Sequence, residues 1–190
     1  MGFLFMSLWV GFGKKVLEVS SCAEFAPGEK KTIALNGCVK HPSLWSPESP
    51  YLYRLNTVLS VNGEEGYEVF SGKVGIRTFR FDADKGFFLN GKNRKLKGVC
   101  VHHDGGCLGA AMTKEVWERR LTALKEMGCD AIRTSHNPHM PELYDLCDEM
   151  GFLMMDEAFD EWENPKNKWS TGHNVYPPKH QGYLEDFPEW

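Results

Sequence analysis

Residues 96–155 read LKGVCVHHDGGCLGAAMTKEVWERRLTALKEMGCDAIRTSHNPHMPELYDLCDEMGFLMM, and their pattern decides the fold. Leu96 to Val101 is an apolar run, predicted to form a buried strand. Thr113 then stands where a helix N-cap belongs, with Glu115 in the first turn. A hydroxyl and a carboxylate there satisfy the unpaired N–H groups of a helix start. Val116, Trp117, Leu121, Leu124 and Met127 follow at helical spacing, and Gly128 ends the helix. Ala131 to Thr134 is a second short strand. Pro141 opens a second helix with Leu143, Leu146, Cys147 and Met150 on its buried side and Gly151 as its stop. Phe152 to Met155 is a third strand, apolar on both faces. Strands of that kind, alternating with helices, predict parallel pairing in a doubly wound sheet or a (β/α) barrel.

Each of these strands ends in side chains capable of chemistry. His102, His103 and Asp104 follow the first, Arg133, Ser135 and His136 the second, and Asp156, Glu157, Asp160 and Glu161 the third. Loops at the C-terminal ends of parallel strands converge in space, so these groups are expected around one cleft. His102 and His103 are neighbours, so one of them should point away from it. Ser135 beside His136 is no catalytic triad, because neighbours in a strand face opposite ways and G-x-S-x-G is absent.

Upstream of Asp84 the chain has another character. Val16 to Val19 and Thr32 to Leu35 are short apolar runs separated by Pro27-Gly28. From Tyr51 to Val61 the alternation is clear, with Tyr51, Tyr53, Leu55, Leu59 and Val61 on one face, Arg54, Asn56 and Ser60 on the other, and Val58 as the exception. Asn62-Gly63 supplies a hairpin turn, and Tyr67 to Phe70 starts the return strand. Short strands at this spacing predict an antiparallel β-sandwich over residues 14–83, with the apolar segment 1–13 joined to it as a further strand. Phe87 to Leu89 and Arg94 to Lys97, flanking Asn90-Gly91, look like a small hairpin leading into the second domain, residues 84–190. The sandwich carries no nucleophile, metal cluster or phosphate loop and reads as a structural module.

Composition narrows the function. The 190 residues are 42% hydrophobic and 25% charged, with net charge −4, which is globular and offers no basic surplus for nucleic acid. No apolar run approaches the roughly eighteen residues of a membrane helix. The six cysteines form no C-x-x-C pair and mostly lie among apolar neighbours. With no basic stretch before the apolar start and no A-x-A-like site before Lys14, a reducing, cytoplasmic setting is expected rather than export. Two chemistries suit the predicted cleft. A metal-dependent hydrolase would use His102, His136 and carboxylates around an activated water. A glycosidase would flank its scissile bond with two carboxylates, while His, Arg and Trp hold hydroxyls and stack on the ring. A non-catalytic carbohydrate-binding or structural module is the third possibility.

Several motifs bear on that choice. Leu44-Trp45-Ser46-Pro47-Glu48-Ser49-Pro50-Tyr51-Leu52-Tyr53 resembles a segment of the immunoglobulin-like domain of glycoside hydrolase family two, which includes β-galactosidases, β-glucuronidases and β-mannosidases. Gly75-Ile76-Arg77, Gly86-Phe87-Phe88-Leu89-Asn90-Gly91 and Leu96-Lys97-Gly98-Val99 resemble its passage into the barrel. Ala131-Ile132-Arg133-Thr134-Ser135-His136-Asn137-Pro138 is similar to its second-strand motif. Leu146-Cys147-Asp148-Glu149-Met150-Gly151-Phe152 and Asp156-Glu157-Ala158 resemble the helix and strand that follow. The wording is most similar to the β-galactosidase-like branch.

The resemblance implies an immunoglobulin-like sandwich followed by the first about three β/α units of an incomplete (β/α)₈ TIM barrel, since a closed barrel takes eight strands and about 250 residues. It also implies a retaining β-glycosidase acting on terminal β-linked sugars, galactose foremost. The family's two catalytic glutamates lie on later strands, one of them in an Asn-Glu pair that occurs nowhere in this sequence. The 190 residues are therefore expected to be inactive alone, and to need a complementing barrel portion or an oligomer to cover open strand edges. Carried over by position, His102 and His136 line the sugar subsite, Arg133 orients neighbouring carboxylates, and Asp156 and Glu157 line the barrel mouth, only one of them facing inward. Glu161 corresponds to a carboxylate that binds magnesium in some β-galactosidases, so the metal is possible in the full-length enzyme. Two departures count against it here: the companion histidine is Glu163, and the family's Asn-Arg-His-Glu reads Cys100-Val101-His102-His103. Trp162 and Trp169 are candidates for stacking on sugar.

Overall fold

The computed structural model describes residues 2–10, 13–64 and 66–158. The chain divides into two compact units meeting at Lys95 and Leu96.

In the first unit, β1 (Gly2–Val10), β2 (Lys14–Ala23), β3 (Tyr53–Val61) and β4 (Tyr67–Val74) form one antiparallel sheet in the order β2-β1-β3-β4. The N-terminal apolar segment is thus a central strand, bonded on both sides. Asn62 and Gly63 turn β3 into β4 with φ of 55° and 81°, the left-handed pair that matches strand twist. Val58 breaks the alternation of β3 where the ladder shifts between Thr57 and Val58. An extra residue in one strand costs a step of the side-chain period.

Thr32 to Leu35, expected as a strand, forms none. The alternation is present, with Ile33 and Leu35 half-buried and Thr32 and Ala34 exposed, but a strand exists only through a partner's hydrogen bonds. This stretch lies instead across β2, so close that a side chain on Gly37 would meet Leu17 and Val19 at 2.9 Å. Among the described side chains, the unit's buried hydrophobic anchors are Trp45, Tyr53 and Leu89. The Trp45 N–H donates to the Ile76 carbonyl at 2.8 Å, and the Arg77 guanidinium lies over its ring at 4.6 Å.

A three-stranded meander completes this unit: β5 (Phe79–Asp82), β6 (Gly86–Leu89) and β7 (Lys92–Asn93). Its return arm is Lys92–Asn93 rather than Arg94 to Lys97, because the Asn90-Gly91 turn, with φ of 50° and 78°, pairs Leu89 with Lys92. The change of character at Asp84 lies inside this meander, and contacts keep the meander with the first unit. Asn90 donates to the Trp45 carbonyl at 3.0 Å and accepts from the Thr78 N–H at 3.0 Å. Arg94 and Glu48 form a two-pronged ion pair at 2.6 and 3.1 Å.

The second unit begins with β8 (Gly98–Val101), followed by α1 (Lys114–Glu126), β9 (Ala131–Thr134), α2 (Pro141–Met150) and β10 (Leu153–Met155). The three strands are parallel and in sequential order. Thr113 takes the N-cap position of α1, but its hydroxyl makes no capping bond to the backbone and engages Glu115 instead, and Gly151 ends α2 in the left-handed region at φ 76°. Val101 and Ile132 pack with Trp117, Leu121, Leu143, Leu146, Cys147 and Phe152 into a single cluster beneath the helices. Each such side chain taken out of water contributes about 1.5–3 kcal/mol. The Lys125 ammonium reaches from α1 to the Gly151 carbonyl at 2.7 Å and lies 4.7 Å from the Phe152 ring.

Register at the base of this sheet is held by one buried residue. The Asp130 carboxylate accepts the Lys97 N–H at 2.8 Å, its own N–H donates to the Lys97 carbonyl at 2.8 Å, and its carbonyl accepts the Leu153 N–H at 2.9 Å. Beside it, Gly98 lets β8 approach closely: a Cβ there would stand 2.6 Å from the Ala131 carbonyl oxygen. β8 departs from expectation in being mostly exposed, with Gly98, Val99 and Cys100 open and only Val101 buried. It is an edge strand, and among the described residues only one of its faces is covered. No helix among the described residues is long and apolar enough to cross a membrane.

Candidate active site

The ends of β8, β9 and β10 bring the predicted side chains together in one unit. Successive residues of a strand face opposite sides, and the pairing sets Cys100 beside Arg133 and Arg133 beside Met155. These residues face away from the helices, while Val101 and Ile132 face the helix-side core. On the open face, Arg133 Nε donates to Glu157 Oε1, and Arg133 Nη1 lies 3.6 Å from Cys100 Sγ. His136 Nδ1 stands 3.3 Å from the other Glu157 oxygen. The His102 ring meets His136 edge-on, with centroids 5.4 Å apart and an interplanar angle of 68°.

Arg133 and His136 therefore converge on one carboxylate, with His102 beside His136. The Arg133 hydrogen bond, first among the causes, holds Glu157 below the ordinary carboxylate range, with His136 adding to the effect. The same bond raises the Arg133 guanidinium. Such a group is an ionised acceptor beside an imidazole, suited to hydroxyls.

The two carboxylates at the end of β10 separate as alternation requires. Glu157 takes the open face. Asp156 turns toward α2, where it accepts from Thr134 Oγ1 at 2.6 Å and from the Tyr144 hydroxyl at 3.0 and 3.1 Å. The histidine neighbours separate too. His102 joins His136, whereas His103 stacks on His139 at 3.7 Å and 13°. The Trp117 ring stands edge-on to His139 at 5.2 Å. His139 is only 7% exposed, and neither of its ring nitrogens has a partner among the described residues. Burial, seconded by the charge of His103, pushes it down to about 4. Burial likewise pushes the Cys147 thiol up to about 12, so it remains a protonated core group.

Sequence reasoning missed Tyr144 and His139. The signal for Tyr144 is a phenol set beside Leu143 on a helix whose neighbouring side is apolar; its partner Asp156, just past β10, is marked in the sequence, but their contact is not. Asp160, Glu161, Glu163, Trp162 and Trp169 lie outside the described residues. Among those described, no group of three or more His, Cys, Asp or Glu side chains is disposed to hold a metal ion. Glu157, the nearest carboxylate donor to the histidines, is already neutralised by Arg133. Among the described residues that donor set does not fit a metal.

Parallel strands whose C-terminal ends gather histidines, an arginine and a buttressed carboxylate have the arrangement in which β/α enzymes build their sites. The chain belongs to glycosyl hydrolase family 2: the TIM-barrel domain of that family matches residues 82–182, and a second family model, described as glycosyl hydrolases family 2, matches residues 8–77. A β-galactosidase from Bacteroides ovatus, BoGH2A, is 48% identical over 178 residues, covering 94% of this chain and 19% of its own length. The crystal structure of a family 2 glycosyl hydrolase from Bacteroides cellulosilyticus superposes with a TM-score of 0.78 at 36% identity, over 88% of this chain and 22% of that one. A β-glucuronidase from Bacteroides uniformis gives 0.76 at 33% identity, over 87% and 20%. The chain thus spans about a fifth of the length of the relatives it matches.

Proposed function

We propose that these residues contribute the sugar-holding side of a retaining β-glycosidase that removes terminal β-linked sugars, galactose foremost. The fold we infer for them is an immunoglobulin-like sandwich followed by the first about three units of a (β/α)₈ barrel. The observation that carries this reading is the convergence of Arg133 and His136 on Glu157, with His102 alongside, at the strand ends. His102 and His136 donate to sugar hydroxyls, and Glu157, kept ionised by Arg133, accepts from them. Bonds of this kind strengthen as positive charge builds on the ring in the oxocarbenium-like state. Proton transfer to the leaving group and attack on the anomeric carbon need two carboxylates about 5 Å apart. These we assign to later barrel strands, so the 190 residues alone turn nothing over.

The relatives include β-galactosidases and β-glucuronidases. Glu157 already engages Arg133, a cation on this face among the described residues, which suits a neutral sugar better than a uronate carboxylate. The test is hydrolysis of chromogenic β-galactoside and β-glucuronide by the chain alone, and then mixed with a polypeptide carrying the rest of the barrel from the Bacteroides ovatus relative. We expect no turnover alone, turnover of the galactoside on mixing, and a loss of about a hundredfold with His102→Ala or His136→Ala. Turnover by the chain alone, free of host enzyme, would overturn the assignment and move the chemistry to the carboxylates between Asp156 and Glu161. Sugar binding without turnover in the mixture would support a non-catalytic module instead.

A further inference from the structure

Behind the Arg133–Glu157–His136 face lies a chain of hydroxyls that the reaction does not use. The Tyr144 phenol, on α2, accepts the His139 N–H at 3.2 Å and donates to both oxygens of Asp156. Thr134 Oγ1, fully buried at the end of β9, donates to Asp156 at 2.6 Å and accepts the N–H of Glu157 at 3.0 Å. Helix α2, β9 and the segment leaving β10 are therefore joined at one carboxylate. Because Asp156 and Glu157 are consecutive in an extended chain, fixing Asp156 on the helix side commits Glu157 to the open side. The Thr134 hydroxyl then sets the plane of the peptide that carries Glu157.

We propose that Tyr144, with Thr134 and Asp156, is a positioning residue for Glu157, and that Asp156 acts through this clamp rather than on the sugar. The placement of Glu157 between Arg133 and His136 is a consequence of the clamp, and the pair with Arg133 forms only because the backbone presents the carboxylate at that spot. The effect on turnover rests on the sugar-site reading above; the positioning itself does not.

The experiment separates the two. Carboxyl-carbon NMR of the 190-residue chain with ¹³C-labelled glutamate follows the titration of Glu157. In Tyr144→Phe and Thr134→Val its midpoint should climb toward the ordinary glutamate value by about half a pH unit as the Arg133 bond loosens. Thr134→Ser, which keeps both hydrogen bonds, should leave it in place. An unchanged Glu157 midpoint in the folded Tyr144→Phe chain overturns the proposal, and this variant carries the test if Thr134→Val does not fold. In the assembled mixture, Tyr144→Phe should lower kcat about tenfold with KM nearly unchanged, the Michaelis complex still forming through the histidines. Absence of hydrolysis by the unsubstituted mixture would count against the glycosidase reading alone, the NMR result then deciding the clamp.

Discussion

The antiparallel unit and the β/α unit hold their shapes by different means. In the first, the described buried hydrophobic side chains are Trp45, Tyr53 and Leu89, and distant segments are tied by strand ladders and by polar contacts such as Asn90 to Trp45. In the second, eight buried residues form one cluster from Val101 to Phe152, and every polar side chain of the candidate site rises from the strands over it. A rigid, packed base is what allows Arg133, His136 and Glu157 to keep their mutual geometry. No such cluster is seen among the described side chains of the first unit.

This contrast can be broken most forcefully at Leu121, fully buried within the cluster. Leu121→Ala should destabilise the β/α unit by about 3 kcal/mol, seen as a lower urea midpoint by circular dichroism, with the amides of β3 keeping their exchange protection. If both units melted together, they would be one cooperative body.

Acid offers a graded version. His139 sits at about 4 in the fold against an ordinary 6.5, so as pH falls through that interval the unfolded chain binds a proton that the folded chain refuses. Stability of the β/α unit should therefore be complete above about pH 6.5 and decline toward pH 4. Tryptophan fluorescence of Trp117 follows this, and His139→Phe should flatten the decline. A decline of the same slope in the variant would place its cause elsewhere.

In the first unit, Asn90→Ala removes two hydrogen bonds and leaves an alanine at φ 50°. We expect a cost of about 2 kcal/mol by thermal unfolding, with Asn90→Gly recovering only the backbone share. Smallest of all, Glu48→Gln should cost less than about 1 kcal/mol, since the pair with Arg94 is open to water at the glutamate. The Glu48 carboxyl is held at about 2 against an ordinary 4.5, so what the pair contributes is present above pH 4.5 and fades as pH falls toward 2. Any measured difference from the variant should lie above that window.

The β/α half was more legible than the antiparallel half, for a physical reason. Helix caps, glycine stops and strand ends are local signals, and Thr113, Pro141, Gly151 and the strand Ala131–Thr134 all stand where the sequence puts them. Antiparallel pairing is a relation between distant segments. Thr32 to Leu35 carries the alternation of a strand without a partner to bond, and the apolar start of the chain gives no sign that it becomes a central strand. The same division runs through the candidate site. That Arg133, His136 and a carboxylate would meet follows from the strand-end rule. Which carboxylate, and what holds it, depends on Tyr144, an α2 residue whose partner Asp156 is brought to it only by the fold.

Asp130 has a consequence for how such a protein can change over time. Because this one residue is bonded to both neighbouring strands at their base, the register of the sheet does not depend on the lengths of the segments between strands. A slip of one residue would turn every side chain to the other face and carry Arg133 away from Glu157. A change of length in residues 104–112, beyond His102 and His103, should therefore leave the opposite, Asp130 end of the strands in register. The base of the sheet is thereby pinned independently of the loops that carry the candidate site.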